Sequence, residues 1–202
     1  VEQAIGVAES AFKEWSDVTP EDRGKMLLNA CELIKQKGGE IAQLLTREQG
    51  KTLFEAGLEI HHLVHGLEFY AGLASKVRGA HVPLPQKGAY GMVVRQPIGV
   101  CGGIVPWNFP LPLMGTKLGP ALAAGNTIII KPASTTPLAT LLAIEQIQKA
   151  TYGEGKQQKT LPKGAVNVVT GPGSTVGEEM NPNGASDLSS TYPVPSAFWP
   201  VT

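Results

Sequence analysis

Residues 99–131, GVCGGIVPWNFPLPLMGTKLGPALAAGNTIIIK, constrain this chain more than any other stretch, because two apolar runs flank one helical segment. Residues 100–105 are too short for an ordinary helix and too uniformly apolar for a strand with one wet face, so they read as a strand buried on both sides. Pro106 ends it. Asn108 is placed to cap the next helix, Pro110 and Pro112 fit a first turn where missing amide donors cost little, and Gly125 supplies a C-terminal stop. A second buried strand follows over residues 127–130, closed by Lys131 and Pro132. Two such strands joined by a helical crossover make a parallel βαβ unit.

The pattern then repeats. Thr136 reads as a cap and Pro137 as the opening of a helix to about residue 150; residues 165–170 (AVNVVT) form a third strand, and residues 171–177 turn into another helix. The fold class is therefore α/β, with N-terminal helices leading into a partial Rossmann-like parallel sheet. Ligands of such sheets sit outside the carboxyl ends of the strands. Those ends carry Pro106-Trp107-Asn108, Lys131-Pro132-Ala133-Ser134 and Gly171-Pro172-Gly173-Ser174.

Composition narrows the partners. With 42% hydrophobic residues the 202-residue chain can bury a core, and 17 basic against 17 acidic residues leave no surplus to attract nucleic acid. No run of ~18 apolar residues suggests a membrane span, and the start lacks the pattern of a signal peptide. Cys31 falls in a helix pattern and Cys101 in a buried strand, so the reading is a reduced, cytoplasmic protein without a disulfide between them.

In chain order, Val1, Ile5, Ala8, Phe12 and Trp15 recur at helical spacing from the first residue, without a cap, which suggests further residues upstream. Thr19-Pro20-Glu21-Asp22 is a helix start, and that helix is expected to stop at Gly38-Gly39. A third helix spans residues 40–49 up to Gly50, and a fourth spans residues 52–76. Residues 1–78 form an N-terminal helical part. On the fourth helix His61 and His65 share a face, but no HExxH glutamate or third ligand accompanies them, so no metal site is expected. Residues 79–97 alternate like a hairpin outside the main sheet, and their unpaired edges invite another subunit. Residues 98–180 hold the α/β unit. Within it, residues 151–160 (TYGEGKQQKT) are polar and aperiodic, a surface loop or insertion; residues 181–202, rich in Asn, Ser and Pro, are expected to be disordered.

Lys131 ends an apolar strand, where an ammonium must either reach solvent or meet acceptors in the ligand crevice, such as ribose hydroxyls or a phosphate. The turn GPGSTVG (residues 171–177) lets backbone amides approach an anion or an adenine, although its glycines do not fit GxGxxG. Asn108 can cap a helix or act as an oxyanion donor.

The run PWNFPLPLMGTKLGPALAAGNTIIIKPASTTP, followed by LPKGAVNVVTGPGSTVG, resembles the aldehyde dehydrogenase superfamily, and EQGK (residues 48–51) and FYAG (residues 69–72) extend the likeness over residues 1–180. The resemblance implies NAD(P)-dependent oxidation of an aldehyde to a carboxylate and a homo-oligomer. It places Asn108 as the donor to the thiohemiacetal oxyanion and Lys117 in a supporting, charge-relay-like role. Lys131 falls at the adenine ribose, Ile104, Val105, Pro106 and Trp107 in the cofactor-lining turn, and Gly173, Ser174 and Gly177 at the adenine pocket. Ser134 stands where relatives often carry a glutamate that repels a 2′-phosphate, so NADP is expected to be accepted at least as well as NAD. The family's cysteine nucleophile, glutamate base and catalytic domain find no match, so the chain reads as truncated and by itself inactive. A catalytically dead nucleotide-binding or oligomerisation module is the alternative. In either case the edge of the sheet beyond the third strand is left without its neighbours.

Overall fold

The computed structural model describes residues 1–180. Helix α1 (Glu2–Ser16) starts at Val1 without a side-chain cap. Helix α2 (Pro20–Gln49) has Thr19 as its cap, the hydroxyl accepting from the Asp22 amide at 3.2 Å. The expected break at Gly38-Gly39 does not occur, and α2 is one helix of 30 residues. Interior glycines cost about 1 kcal/mol each. Against that, Ile34, Ile41 and Leu45 are fully buried on either side of them, each contributing roughly 1.5–3 kcal/mol. The helix ends at Gly50, whose φ of 89° lets its amide return to the Thr46 carbonyl at 2.9 Å. Helix α3 (Leu53–Leu73) opens on a capping box between Thr52 and Glu55 and runs on through a 3₁₀ turn, Ala74–Lys76, as expected of the fourth helix.

Strands β1 (Ala80–Pro83) and β2 (Tyr90–Val93) pair antiparallel as a hairpin apart from the main sheet, with Tyr90 and Met92 about two-thirds exposed. The main sheet follows: β3 (Val100–Ile104), helix α4 (Pro110–Ala123), β4 (Thr127–Lys131) and helix α5 (Leu138–Gln148). Residues 151–160 are not an irregular loop. Strands β5 (Thr151–Tyr152) and β6 (Lys159–Thr160) pair antiparallel around a 3₁₀ turn. The order comes from elsewhere in the chain, which is why local composition did not show it: Asn29 on α2 accepts from the Thr151 amide at 2.9 Å, and the Tyr152 ring meets the edge of Trp15 on α1 at 5.8 Å. Strand β7 (Val166–Val168) completes a parallel sheet ordered β3-β4-β7, and a one-turn π-helix, Gly173–Gly177, stands where a further helix was expected.

Every residue of β4 is buried, as a central parallel strand covered on both faces must be. Ile128 and Ile130 join the large core with Leu118 and Leu122 of α4, Ile144 and Ile147 of α5, and the buried stripes of α2 and α3. Ile129 points the other way, to Val100, Met180 and Ala8 of α1. Arg23, buried near the start of α2, donates through Nε to the Ala123 carbonyl at 3.0 Å, closing the C-terminal end of α4.

Two expected caps are corrected. Asn108 does not cap α4, whose N-cap is Phe109, and Thr136 does not cap α5, whose N-cap is Pro137. Pro110 and Pro112 leave Leu111 as the one amide in the first three positions of α4, and Glu59 of α3 accepts from it at 3.2 Å. Glu48 of α2 accepts from the Leu138 and Ala139 amides at 2.8 and 2.9 Å. A carboxylate at a helix N-terminus meets both the open donors and the positive end of the dipole, which a hydroxyl or carboxamide does less well. The Thr136 hydroxyl is buried without a hydrogen bond.

Candidate functional site

Parallel register brings the three strand ends to one edge. Ile104 lies opposite Lys131, the Val105 amide donates to the Lys131 carbonyl at 2.9 Å, and the Val169 amide to the Ile130 carbonyl at 3.0 Å. The loops that follow are therefore neighbours, as sheets of this topology require of a ligand crevice.

In the first loop Val105 is buried, Ile104 half-buried, and Pro106, Trp107 and Asn108 exposed. The backbone of this turn is held from below. Gln49 Nε2 donates to the carbonyls of both Trp107 (2.7 Å) and Asn108 (2.9 Å), and Lys51 Nζ to that of Asn108 (3.2 Å). Lys51 is ion-paired with Glu59, whose side chain is 1% exposed, and lies 4.8 Å from the Phe109 ring centroid. The Asn108 carboxamide, by contrast, is exposed and has no hydrogen-bond partner among the described residues. Lys117, on α4, is half-buried with its stem across β3: a Cβ added at Gly103 would lie 3.3 Å from its Cδ. Burial holds its ammonium below the ordinary lysine range.

In the second loop Lys131 is 3% exposed, and its Nζ donates to the Pro132 carbonyl at 3.1 Å. That bond occupies one of three donors, so the ammonium is short of acceptors. Gly177 closes over it: a Cβ there would sit 3.9 Å from Lys131 Cε. Ser134 Oγ donates to the Gly171 carbonyl at 2.9 Å, tying the second loop to the third, where Gly173 and Ser174 lie exposed. Lys131, Ser134 and Gly177 thus share one corner of the edge. A ribose fits there chemically, since its hydroxyls would supply the acceptors that the lysine lacks.

The cysteines lie away from this edge in character. Both are buried and not joined by a disulfide; desolvation pushes the Cys31 thiol up to about 12, with its Sγ 3.6 Å from the Val64 carbonyl. His61 and His65 stack on the exposed face of α3 with centroids 6.4 Å apart. Among the described residues no three His, Cys, Asp or Glu side chains gather to hold a metal ion, and no helix is long and apolar enough to cross a membrane.

Sequence reasoning missed Glu48, Gln49, Lys51 and Glu59 as the residues that hold the two loops. A signal was present for one of them. Glu59 lies on the stripe that buries Ala56, Ile60 and Leu63, and a carboxylate on a buried stripe needs a cation and donors.

A parallel sheet covered by helices, with polar side chains gathered at its carboxyl edge, defines a Rossmann-like α/β unit. The chain belongs to the aldehyde dehydrogenase family, whose family model matches residues 1–189. It is 40% identical over 190 residues to a betaine aldehyde dehydrogenase of Bacillus subtilis, covering 93% of this chain and 37% of that one. Among solved structures, an Escherichia coli NADP-dependent enzyme matches with a TM-score of 0.82 at 38% identity, over 90% of this chain and 36% of the other. PnpE in complex with nicotinamide adenine dinucleotide matches with a TM-score of 0.79 at 39% identity, over 88% and 34%. The chain thus spans about a third of the length of the relatives it matches. The relatives support NAD or NADP as cofactor.

Proposed function

We propose that this chain supplies the cofactor side and the oxyanion donor of an NAD(P)-dependent aldehyde dehydrogenase that converts an aldehyde to a carboxylate. The observation that carries the reading is the contrast within Asn108: a backbone fixed by two donors beneath it and a carboxamide left open at the crevice. A donor held in this way can stabilise charge that develops on a carbonyl oxygen without reorganising when it appears. Lys131 holds the adenosine ribose, Gly173, Ser174 and Gly177 border the adenine, and Ile104 to Trp107 line the path between. The nicotinamide, when bound, supplies the hydride acceptor. Lys117, on α4, takes a supporting, charge-relay-like role.

Neither Cys31 nor Cys101, the two cysteines of the 202 residues, is suited to attack an aldehyde, because both thiols are buried and Cys31 is strongly protonated. The 202-residue chain alone is therefore expected to bind cofactor without turning over aldehydes. The exposed β1–β2 hairpin is the assembly surface of the homo-oligomer. Betaine aldehyde is one substrate to try, on the strength of the Bacillus relative.

Calorimetric titration of the purified chain with NAD and with NADP tests the reading. Binding is expected for at least one, with Lys131→Met weakening it tenfold or more and Asn108→Ala leaving it within twofold. Absence of binding to both, or a Lys131→Met variant that binds as the parent chain does, refutes the assignment. Turnover of an aldehyde by the chain refutes its inactivity.

A further inference from the structure

The corner between α2 and α3 reaches both ligand-facing loops at once. Glu48 binds the first amides of α5, directly after the loop of Lys131, while Gln49 and Lys51 bind the carbonyls of the Trp107–Asn108 turn. The chemistry of Gln49 fixes which way its amide points. Its Oε1 is buried without a partner, and turning the group over would aim that oxygen at two carbonyls. A buried acceptor is left unmade so that Nε2 can hold two oxygens, an unfavourable local choice unless the turn has to be fixed.

From this we infer that Gln49 is a positioning residue of the oxyanion site, with Lys51 as its second support: by anchoring the carbonyls of residues 107 and 108 it aims the Asn108 carboxamide into the crevice. The inference rests on the proposed role of Asn108. Gln49 itself has no part in the chemistry and touches neither substrate nor cofactor. Its action is through the backbone, since a residue whose carbonyl is bound by two separate donors cannot rotate its peptide plane without losing both bonds. Lys51 is the less replaceable of the two, because its ammonium also neutralises Glu59, which in turn accepts from the Leu111 amide at the start of α4.

The test uses the full 202-residue chain and two readouts, amide hydrogen exchange and the side-chain ¹⁵N–¹H resonances of Asn108. Gln49→Glu keeps shape and replaces the donor by an acceptor; Gln49→Met keeps length and has neither, and carries the comparison should the first variant not fold. Both are expected to speed exchange at Leu111 and Leu113 at least tenfold, with the amides of β4 unchanged. The Asn108 carboxamide resonances should move toward the position of a freely rotating amide. Lys51→Arg, which retains donors, should show less of each effect than Lys51→Met.

A folded Gln49 variant with parental exchange at Leu111 and Leu113 and parental Asn108 resonances overturns the inference. So does faster exchange that is equal at β4, which would mark a general loss of stability. Cofactor titration of the same samples separates the two claims. If the parent chain binds neither NAD nor NADP, the functional reading fails while the exchange data still decide the role of Gln49; if it binds and the variants match it in both spectra, only the positioning role fails.

Discussion

The Glu48 carboxylate and the Leu138 amide, 90 residues apart in the chain, meet at 2.8 Å, with the Ala139 amide at 2.9 Å on the other oxygen. A side chain on one helix thus caps another, α5, that has no cap of its own. Removing it with Glu48→Ala should cost about 1–2 kcal/mol, the upper part of the range for a lost N-cap, because two amides lose a charged acceptor. Glu48→Gln, which keeps one acceptor oxygen, should lose about half as much. Urea unfolding of the three chains measures this, and a loss of under a few tenths of a kcal/mol for the alanine variant would show that water replaces the carboxylate.

The pair of Lys51 and Glu59 makes a different demand. Glu59 is almost completely enclosed, so Lys51→Met leaves a buried carboxylate without its cation and should destabilise by about 3–5 kcal/mol. The double variant Lys51→Met, Glu59→Leu should be clearly more stable than Lys51→Met alone, since apolar groups can fill the same space without desolvating charge. A double-mutant cycle in urea checks the order. Additive losses would mean that the two residues are energetically independent.

Helix α4 approaches α3 through small residues. A Cβ at Gly119 would lie 2.7 Å from Tyr70 Cδ2 and 3.4 Å from Leu67 Cδ2, with the core packed behind both. Gly119→Ala should therefore cost about 1–3 kcal/mol despite the better helix propensity of alanine. Gly57→Ala, where the added methyl meets nothing within 4 Å, should be neutral or stabilising. The melting temperatures of the two variants should move in opposite directions, or only the first should move.

Alkaline pH offers a test of burial. The Cys31 thiol ionises near 9.0 when exposed and is pushed up to about 12 in the fold, by desolvation first and by Glu68 second. The native state therefore holds the thiol proton more tightly than the unfolded state does. Below pH 9 the group has no effect on stability; from there to about pH 12 the unfolded thiolate forms first and stability falls as pH rises. Cys31→Ala should show a shallower decline over that interval than the parent chain. Identical slopes would mean that the thiol is accessible to solvent.

How much of this was legible depends on the range of the interactions involved. The buried strands, the proline-opened α4, the Thr19 cap of α2 and the glycine stop at Gly50 are local, and the side chains that decide them stand within a few residues of each other. The unbroken course of α2 past Gly38-Gly39 was not, because the burial of Ile34, Ile41 and Leu45 outweighs a propensity that only looks at neighbours. The same holds for β5 and β6, whose order comes from Asn29 and Trp15. At the site, the positions of Lys131, Ser134 and the Trp107–Asn108 turn followed from where the strands end. Their supports did not, since Glu48, Gln49 and Glu59 act across 50 residues or more.

Helix α2 touches α4 at both extremities. Arg23, near its start, binds the carbonyl of Ala123, the last residue of α4, and Gln49, at its finish, binds the turn that leads into it. About 45 Å of continuous helix therefore acts as a splint along a much shorter one. Clamped fore and aft, α4 cannot slide along its axis like a piston. With the Trp107 and Asn108 carbonyls held as well, any adjustment when a ligand arrives has to be taken up by side-chain rotation, and the helix behind the turn acts as a fixed backstop.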